Sequence, residues 1–237
     1  MTTALAFLLI LLSVAEQSTS PPPPKESLVQ KLLRIAGLTA APSQMRAPGD
    51  PQPGDIWIVS LQEGARRALT SDGGYRSPIF SPDNAFVYAI RDDVVMRIPV
   101  AGGAATPQGR TPDLVKLVGF EGPENVVVLT EAQAPASPLA ALSLRTGQLT
   151  PLPHDPKSAE ELRLIAFVRG DERVYGETKV YTRTERKPGA LRASEWTDVY
   201  LARGTAAPVN VSTCQGVDCG APALSGDGRN VVYIKTP

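Results

Sequence analysis

Ser77-Pro78-Ile79-Phe80-Ser81-Pro82-Asp83-Asn84-Ala85-Phe86-Val87-Tyr88 returns near the end of the chain as Ala221-Pro222-Ala223-Leu224-Ser225-Gly226-Asp227-Gly228-Arg229-Asn230-Val231-Val232-Tyr233. Each copy reads as an apolar strand, a tight Ser-x-Asp turn and a second apolar strand. A second pattern is interleaved with it. Asp55-Ile56-Trp57-Ile58-Val59-Ser60 leads through Glu63-Gly64 into Arg67-Ala68-Leu69-Thr70, and Asp93-Val94-Val95-Met96-Arg97-Ile98-Pro99-Val100 repeats its opening. The chain begins on the second pattern and ends on the first. Strand repeats at a fixed period indicate a propeller or solenoid. The offset predicts that the two ends complete one shared blade.

Outer strands begin near Asp55, Asp93, Pro138 and Asp198. The first two steps are about forty residues, the size of one propeller blade, and the third is longer. The middle copies are degenerate. One runs through Leu117–Phe120, Val126–Thr130, Leu139–Leu144 and Gln148–Thr150. The next runs through Leu164–Val168, Arg173–Gly176, Asp198–Ala202 and Pro208–Val211, with Lys179–Thr197 read as a long polar insertion between its halves. The expected fold is all-β, a propeller of about four blades over residues 54–237. A ring of this kind has no free sheet edges.

Ahead of it, residues 1–15 read as a signal peptide, with an uncharged apolar stretch Leu5–Val14 and small residues at Ser13 and Ala15. The stretch lacks a basic start, so an uncleaved membrane anchor is the alternative. Residues 16–53 form a Pro-rich linker that contains the run Pro21–Pro24. Within it, 26–36 carries Leu28, Leu32 and Ile35 on one stripe and is followed by Gly37. This is the pattern of a short amphipathic helix that must bury its stripe on something.

The chain has 237 residues, with 24 basic and 24 acidic side chains. It has neither a basic run nor a net positive charge, which argues against a nucleic-acid partner. Its 20 Gly and 23 Pro fit a β-rich chain with many turns. Cys214 and Cys219 are the two cysteines. In an exported chain they read as a disulfide that clips a loop between blades. A metal site needs more ligands than the single His154 and these cysteines supply, and Cys-x4-Cys is not the spacing of a redox pair.

The string Leu69-Thr70-Ser71-Asp72-Gly73-Gly74-Tyr75-Arg76-Ser77-Pro78-Ile79-Phe80-Ser81-Pro82-Asp83 resembles the TolB-type propeller repeat, whose turn usually reads Ser-Pro-Asp-Gly. Asn84 stands at the Gly position and tolerates the same left-handed backbone. The resemblance implies a blade rather than an activity. TolB-type propellers usually have more blades than the four counted here, so an incomplete ring of the family type stays open beside a closed ring.

No Gly-x-Ser-x-Gly elbow, phosphate loop, dinucleotide fingerprint or calcium loop occurs. No catalytic, cofactor or metal residue is assigned. The expected function is that of an exported, periplasmic or secreted, non-enzymatic scaffold that binds a protein partner in the cell envelope. Its expected contact elements are Leu28, Leu32 and Ile35 on the helix and Tyr181, Arg183, Arg186 and Trp196 in the insertion, because aromatic and Arg side chains concentrate at interfaces. Two other readings are a propeller that binds a small ligand or glycan in its channel, and the propeller remnant of a prolyl-oligopeptidase-like hydrolase.

Overall fold

A computed structural model of the chain describes residues 52–111, 113–130, 139–152, 172–186 and 195–236. The expected signal peptide, the helix 26–36 with Leu28, Leu32 and Ile35, the strand Leu164–Val168 and His154 lie outside the described residues. Among the described residues, sixteen strands form four antiparallel sheets of four strands each. The first blade is β3 (Arg76–Phe80), β4 (Phe86–Arg91), β5 (Val94–Pro99) and β6 (Thr106–Arg110). The second is β7 (Leu114–Glu121), β8 (Asn125–Thr130), β9 (Leu139–Ser143) and β10 (Leu149–Pro151). The third is β11 (Glu172–Tyr175), β12 (Thr178–Arg186), β13 (Glu195–Arg203) and β14 (Val209–Asn210).

The fourth blade joins the ends of the chain. β15 (Cys219–Leu224) and β16 (Asn230–Lys235) supply its inner half, β1 (Asp55–Ser60) and β2 (Arg66–Ala68) its outer half, in the order β15-β16-β1-β2. The β1–β16 ladder runs without a break from Asp55 opposite Lys235 to Ser60 opposite Asn230, and Trp57 faces Tyr233. The shared blade read from the offset repeats is therefore present.

Local chemistry explains the repeats. In the β3–β4 turn the Ser81 hydroxyl donates to Asp83 Oδ1 at 2.5 Å and accepts from Phe86 N at 3.0 Å, while Ala85 N donates to Asp83 at 3.0 Å. The β15–β16 turn repeats this set with Ser225, Asp227, Arg229 and Asn230. The fourth turn residue needs a left-handed backbone. Asn84 has φ 59° and its counterpart Gly228 has φ 70°, so Asn does occupy the Gly position. In both inner strands the residue before Pro, Ser77 or Ala221, also has positive φ, and the pairing register shifts there. This bulge turns the Ser77 hydroxyl toward the second blade, where it accepts from Leu117 N at 3.0 Å.

Three seams between blades are apolar. Ile56, Val232 and Ile234 of the shared blade pack with Phe80, Val87 and Ile98 of the first. Ile79, Ile90 and Val95 pack with Leu117, Val126 and Leu142 of the second. Val180, Val199 and Leu201 of the third pack with Val59, Val231 and Tyr233 of the shared blade. Burying one such side chain is worth roughly 1.5–3 kcal/mol, against about 1 kcal/mol net for a hydrogen bond. These apolar contacts therefore dominate cohesion at the three seams. Between the second and third blades, Arg173 donates to the carbonyls of Leu117 at 3.2 Å and Val118 at 3.3 Å. Arg76 does the same for Leu114 at 2.6 Å and Val115 at 2.7 Å. Two guanidinium groups thus occupy the inner edge of β7, which has no strand beyond it among the described residues.

Two readings of the sequence need correction. The span Lys179–Thr197 is not a long loop. Residues up to Arg186 continue β12 and those from Glu195 belong to β13, so the third blade carries a long hairpin. Its inner pair among the described residues is β11 with β12, so Arg173–Tyr175 pairs with Thr178–Arg186 and not directly with the outer strand at Asp198. The reason lies in the period-two pattern Thr178-Lys179-Val180-Tyr181-Thr182-Arg183-Thr184, rich in β-branched and aromatic residues although polar overall. β6 also goes beyond the sequence reading. Thr106-Pro107-Gln108-Gly109-Arg110 has no apolar alternation and forms an outer edge, a place where a strand tolerates Pro.

Candidate interaction surface

The β12–β13 hairpin has two different faces because side chains alternate along a strand. Val180 and Val199 are fully buried and Leu201 nearly so, against the shared blade. On the other face Tyr181 pairs with Tyr200, Arg183 with Asp198 and Glu185 with Trp196. The rings of Tyr181 and Tyr200 stack with centroids 6.0 Å apart. Lys179 Nζ lies 5.0 Å from the Tyr181 ring centre, and the Arg183 guanidinium lies 4.6 Å from that of Tyr200. Arg183 Nε also contacts Glu185 Oε1 at 3.0 Å, and the Tyr200 hydroxyl donates to the same oxygen at 2.5 Å. That carboxylate, aided by burial, holds the Tyr200 hydroxyl above its ordinary pKa.

The root of the hairpin is built around Asp198, which is 2% exposed. Its Oδ1 accepts from Ser212 Oγ at 2.7 Å and Cys214 N at 2.5 Å, and its Oδ2 accepts from Trp196 Nε1 at 2.9 Å. Desolvation opposes the charge of this buried carboxylate, but the hydrogen bonds outweigh it and its pKa is lowered. Cys214 and Cys219 form a disulfide, as read from the sequence, and close the connection from β14 to β15. Within that closed loop, Asp218 Oδ1 accepts from Thr197 N at 2.9 Å and from Thr197 Oγ1 at 3.1 Å. The bridged loop therefore fixes the strand that carries Trp196.

Of the residues singled out in the sequence, Tyr181, Arg183 and Trp196 share one face of the hairpin. Arg186 points to the other face and pairs with Glu195, its Nε 2.9 Å from Oε1. Lys179 and Glu185 join this face without having been singled out; the signal was their period-two spacing with Tyr181 and Arg183. The buried Tyr200 enters it through the cross-strand register alone. Arg183 and Arg186 are exposed, whereas Tyr181 and Trp196 are half-buried. The ring faces are already covered by cations, so the surface offers a rigid array of aromatic edges and guanidinium donors. Among the described residues, no three His, Cys, Asp or Glu side chains converge on one point.

No protein-family model matches the chain, and no curated protein matches it. Solved structures similar to it include a TolB-like protein of Agrobacterium tumefaciens, at 12% identity and a TM-score of 0.38, covering 74% of this chain and 59% of that one. Another is the β-propeller domain of the Trilobed protease from Pyrococcus furiosus, at 12% identity and TM-score 0.32, covering 67% and 49%. A third is the acylaminoacyl peptidase of Pyrococcus horikoshii, at 13% identity and TM-score 0.33, covering 77% and 31%. The chain thus spans less than two thirds of the length of each. The assignment of fold rests on sheet order and register, not on these likenesses. By those criteria the described chain is a four-bladed β-propeller whose first and last strands share one blade.

Proposed function

We propose that the protein is an exported, non-enzymatic propeller scaffold that binds a protein partner in the cell envelope through the β12–β13 hairpin. The observation that carries this reading is the ordered Lys179–Tyr181–Tyr200–Arg183 stack on a hairpin whose opposite face is anchored in a seam. Rigid aromatic and Arg side chains lose little entropy on binding and concentrate at the energetic centres of interfaces. Export is supported by the apolar N-terminal stretch in the sequence and by the Cys214–Cys219 bridge, which persists in oxidising compartments. The amphipathic stripe of Leu28, Leu32 and Ile35 is the second proposed contact element.

The test is photo-crosslinking of the full chain in its native envelope. A benzoyl-phenylalanine placed at Tyr181 is expected to trap one specific protein, and the same group at Gln108 on β6 is expected to trap none. Arg183→Ala in the Tyr181 probe should reduce the adduct at least tenfold. Equal trapping from both positions, or an adduct that ignores Arg183→Ala, would remove the hairpin from the interface.

A further inference from the structure

A solvent-open cleft of about 420 Å³ lies where the β1–β2, β15–β16 and β11–β12 turns of the shared and third blades meet. That volume falls in the range of small-ligand sites. Its buried floor is Leu224, held by a hydrogen bond from its N–H to the Tyr175 hydroxyl at 3.2 Å. The polar lining holds more cations than anions. Gln62 contributes an amide, Thr178 a hydroxyl, and Arg203 and Arg229 two guanidinium groups. The carboxylate in the lining is Asp227, and its Oδ1 is already taken by Ser225 Oγ at 2.5 Å and Arg229 N at 3.0 Å.

The two arginines are placed differently. Arg203 Nη2 donates to Gly228 O at 3.2 Å, which pins that guanidinium to the wall with donors to spare. The backbone of Arg229 is fixed on both sides. Its N–H binds Ser225 Oγ and Asp227, and its carbonyl accepts from Leu61 N at 2.8 Å. Its guanidinium has no hydrogen-bond or ion-pair partner among the described residues. A cleft lined by two guanidinium cations, one carboxylate and two neutral polar groups keeps an excess of positive charge and suits an acceptor-rich anion. Planar bidentate geometry favours a carboxylate for Arg.

We propose that this cleft binds a carboxylate, with Arg229 as the main contact and Arg203 as the second. The carboxylate belongs either to an acidic residue of a protein partner, which rests on the scaffold reading above, or to a free dicarboxylate. The open site and exposed charges make binding weak and sensitive to salt.

Backbone NMR of the isotopically labelled full chain tests this with two probes, succinate and an end-blocked tripeptide with a central Glu. At least one is expected to shift the amides of Leu61, Thr178 and Gly228 in a saturable way. Arg229→Gln should weaken that binding at least tenfold, while Arg110→Gln, which removes a charge from the outer edge of the first blade, leaves it unchanged. Tighter binding of the peptide assigns the site to a partner's acidic residue, and tighter binding of succinate assigns it to a small molecule. The absence of saturable shifts with either probe, or binding that survives Arg229→Gln, overturns the proposal. Because the Arg229 guanidinium makes no hydrogen bond or ion pair among the described residues and acts on Asp227 only through its charge, its variant should melt close to the wild type, which separates lost binding from lost structure. Crosslinking through Tyr181 is an independent readout, so failure here leaves the hairpin reading standing and the reverse also holds.

Discussion

The backbone N–H of Gly226 donates to Asn84 Oδ1 at 2.7 Å, across 142 residues of chain. The two residues belong to the two copies of the Ser-x-Asp turn, so one repeat of the motif fastens directly onto the other. Asn84 therefore has two tasks. It accepts this hydrogen bond, and it holds a left-handed backbone that most side chains resist. Asn84→Gly loses the bond but relieves the backbone, whereas Asn84→Ala loses the bond and keeps the strain. Chemical denaturation is expected to rank wild type above Asn84→Gly and Asn84→Gly above Asn84→Ala. The Ala variant should lose about 1–2 kcal/mol.

Gly54 lies where β1 enters the shared blade. It exchanges two backbone hydrogen bonds with Tyr75, at 3.0 and 3.1 Å. A Cβ at this position would sit 2.3 Å from the carbonyl oxygen of Lys235. Neither backbone can move without opening the β1–β16 ladder or the bridge to Tyr75. Gly54→Ala is expected to destabilise the protein by about 1–3 kcal/mol, measured as a lower denaturation midpoint. Gly64→Ala serves as the comparison. It has open space around the new methyl, so its cost is limited to the positive φ of 69°.

Much of the architecture was legible because apolar strands and turn chemistry coincide in the two clear repeats. Ile56, Val232 and Ile79 read as members of apolar strands, and they are buried in the core. The third blade was harder to read for a physical reason. β12 buries Val180 on one face and builds its other face from Lys179, Tyr181 and Arg183, so its strand character lies in alternation, not in hydrophobicity. β6 was invisible because an outer edge strand has little apolar surface to bury. In the candidate surface, residue types pointed to Tyr181, Arg183 and Trp196, but only register places Arg186 on the opposite face and brings in Tyr200.

Burial pushes the Tyr233 hydroxyl up to about 12. The nearby positive charge of Arg66 and negative charge of Asp198 act on it with opposite signs. A hydroxyl whose pKa is raised in the folded state stabilises the fold fully below its unfolded value near 10. That contribution fades as the pH rises towards 12. Wild-type stability is therefore expected to fall between pH 10 and 12. Tyr233→Phe should flatten that limb in pH-dependent denaturation, because it leaves no proton to lose.

Asp198 contributes to the acid limb, together with Asp72, Asp83 and Asp227, whose pKa values are also lowered. Its pKa is lowered from 3.8, so its stabilising effect is present above that value and is lost as the pH falls below it. Asp198→Asn removes this dependence, and it also weakens the bonds to Cys214, Ser212 and Trp196 at neutral pH. The expected result is a loss of about 2–4 kcal/mol at pH 7 with a shallower decline in acid. A red shift of Trp196 emission in a Trp57→Phe background would report the loosened root of the hairpin.

The central claim is that β1 and β16 are neighbours in one sheet. Nuclear Overhauser spectroscopy of the labelled full chain tests it most directly. Trp57 and Tyr233 should show cross-strand backbone contacts, continued by Ile56 with Ile234 and Ile58 with Val232. A spectrum in which β1 contacts β2 alone, with no cross-peak from Trp57 to Tyr233, would contradict it.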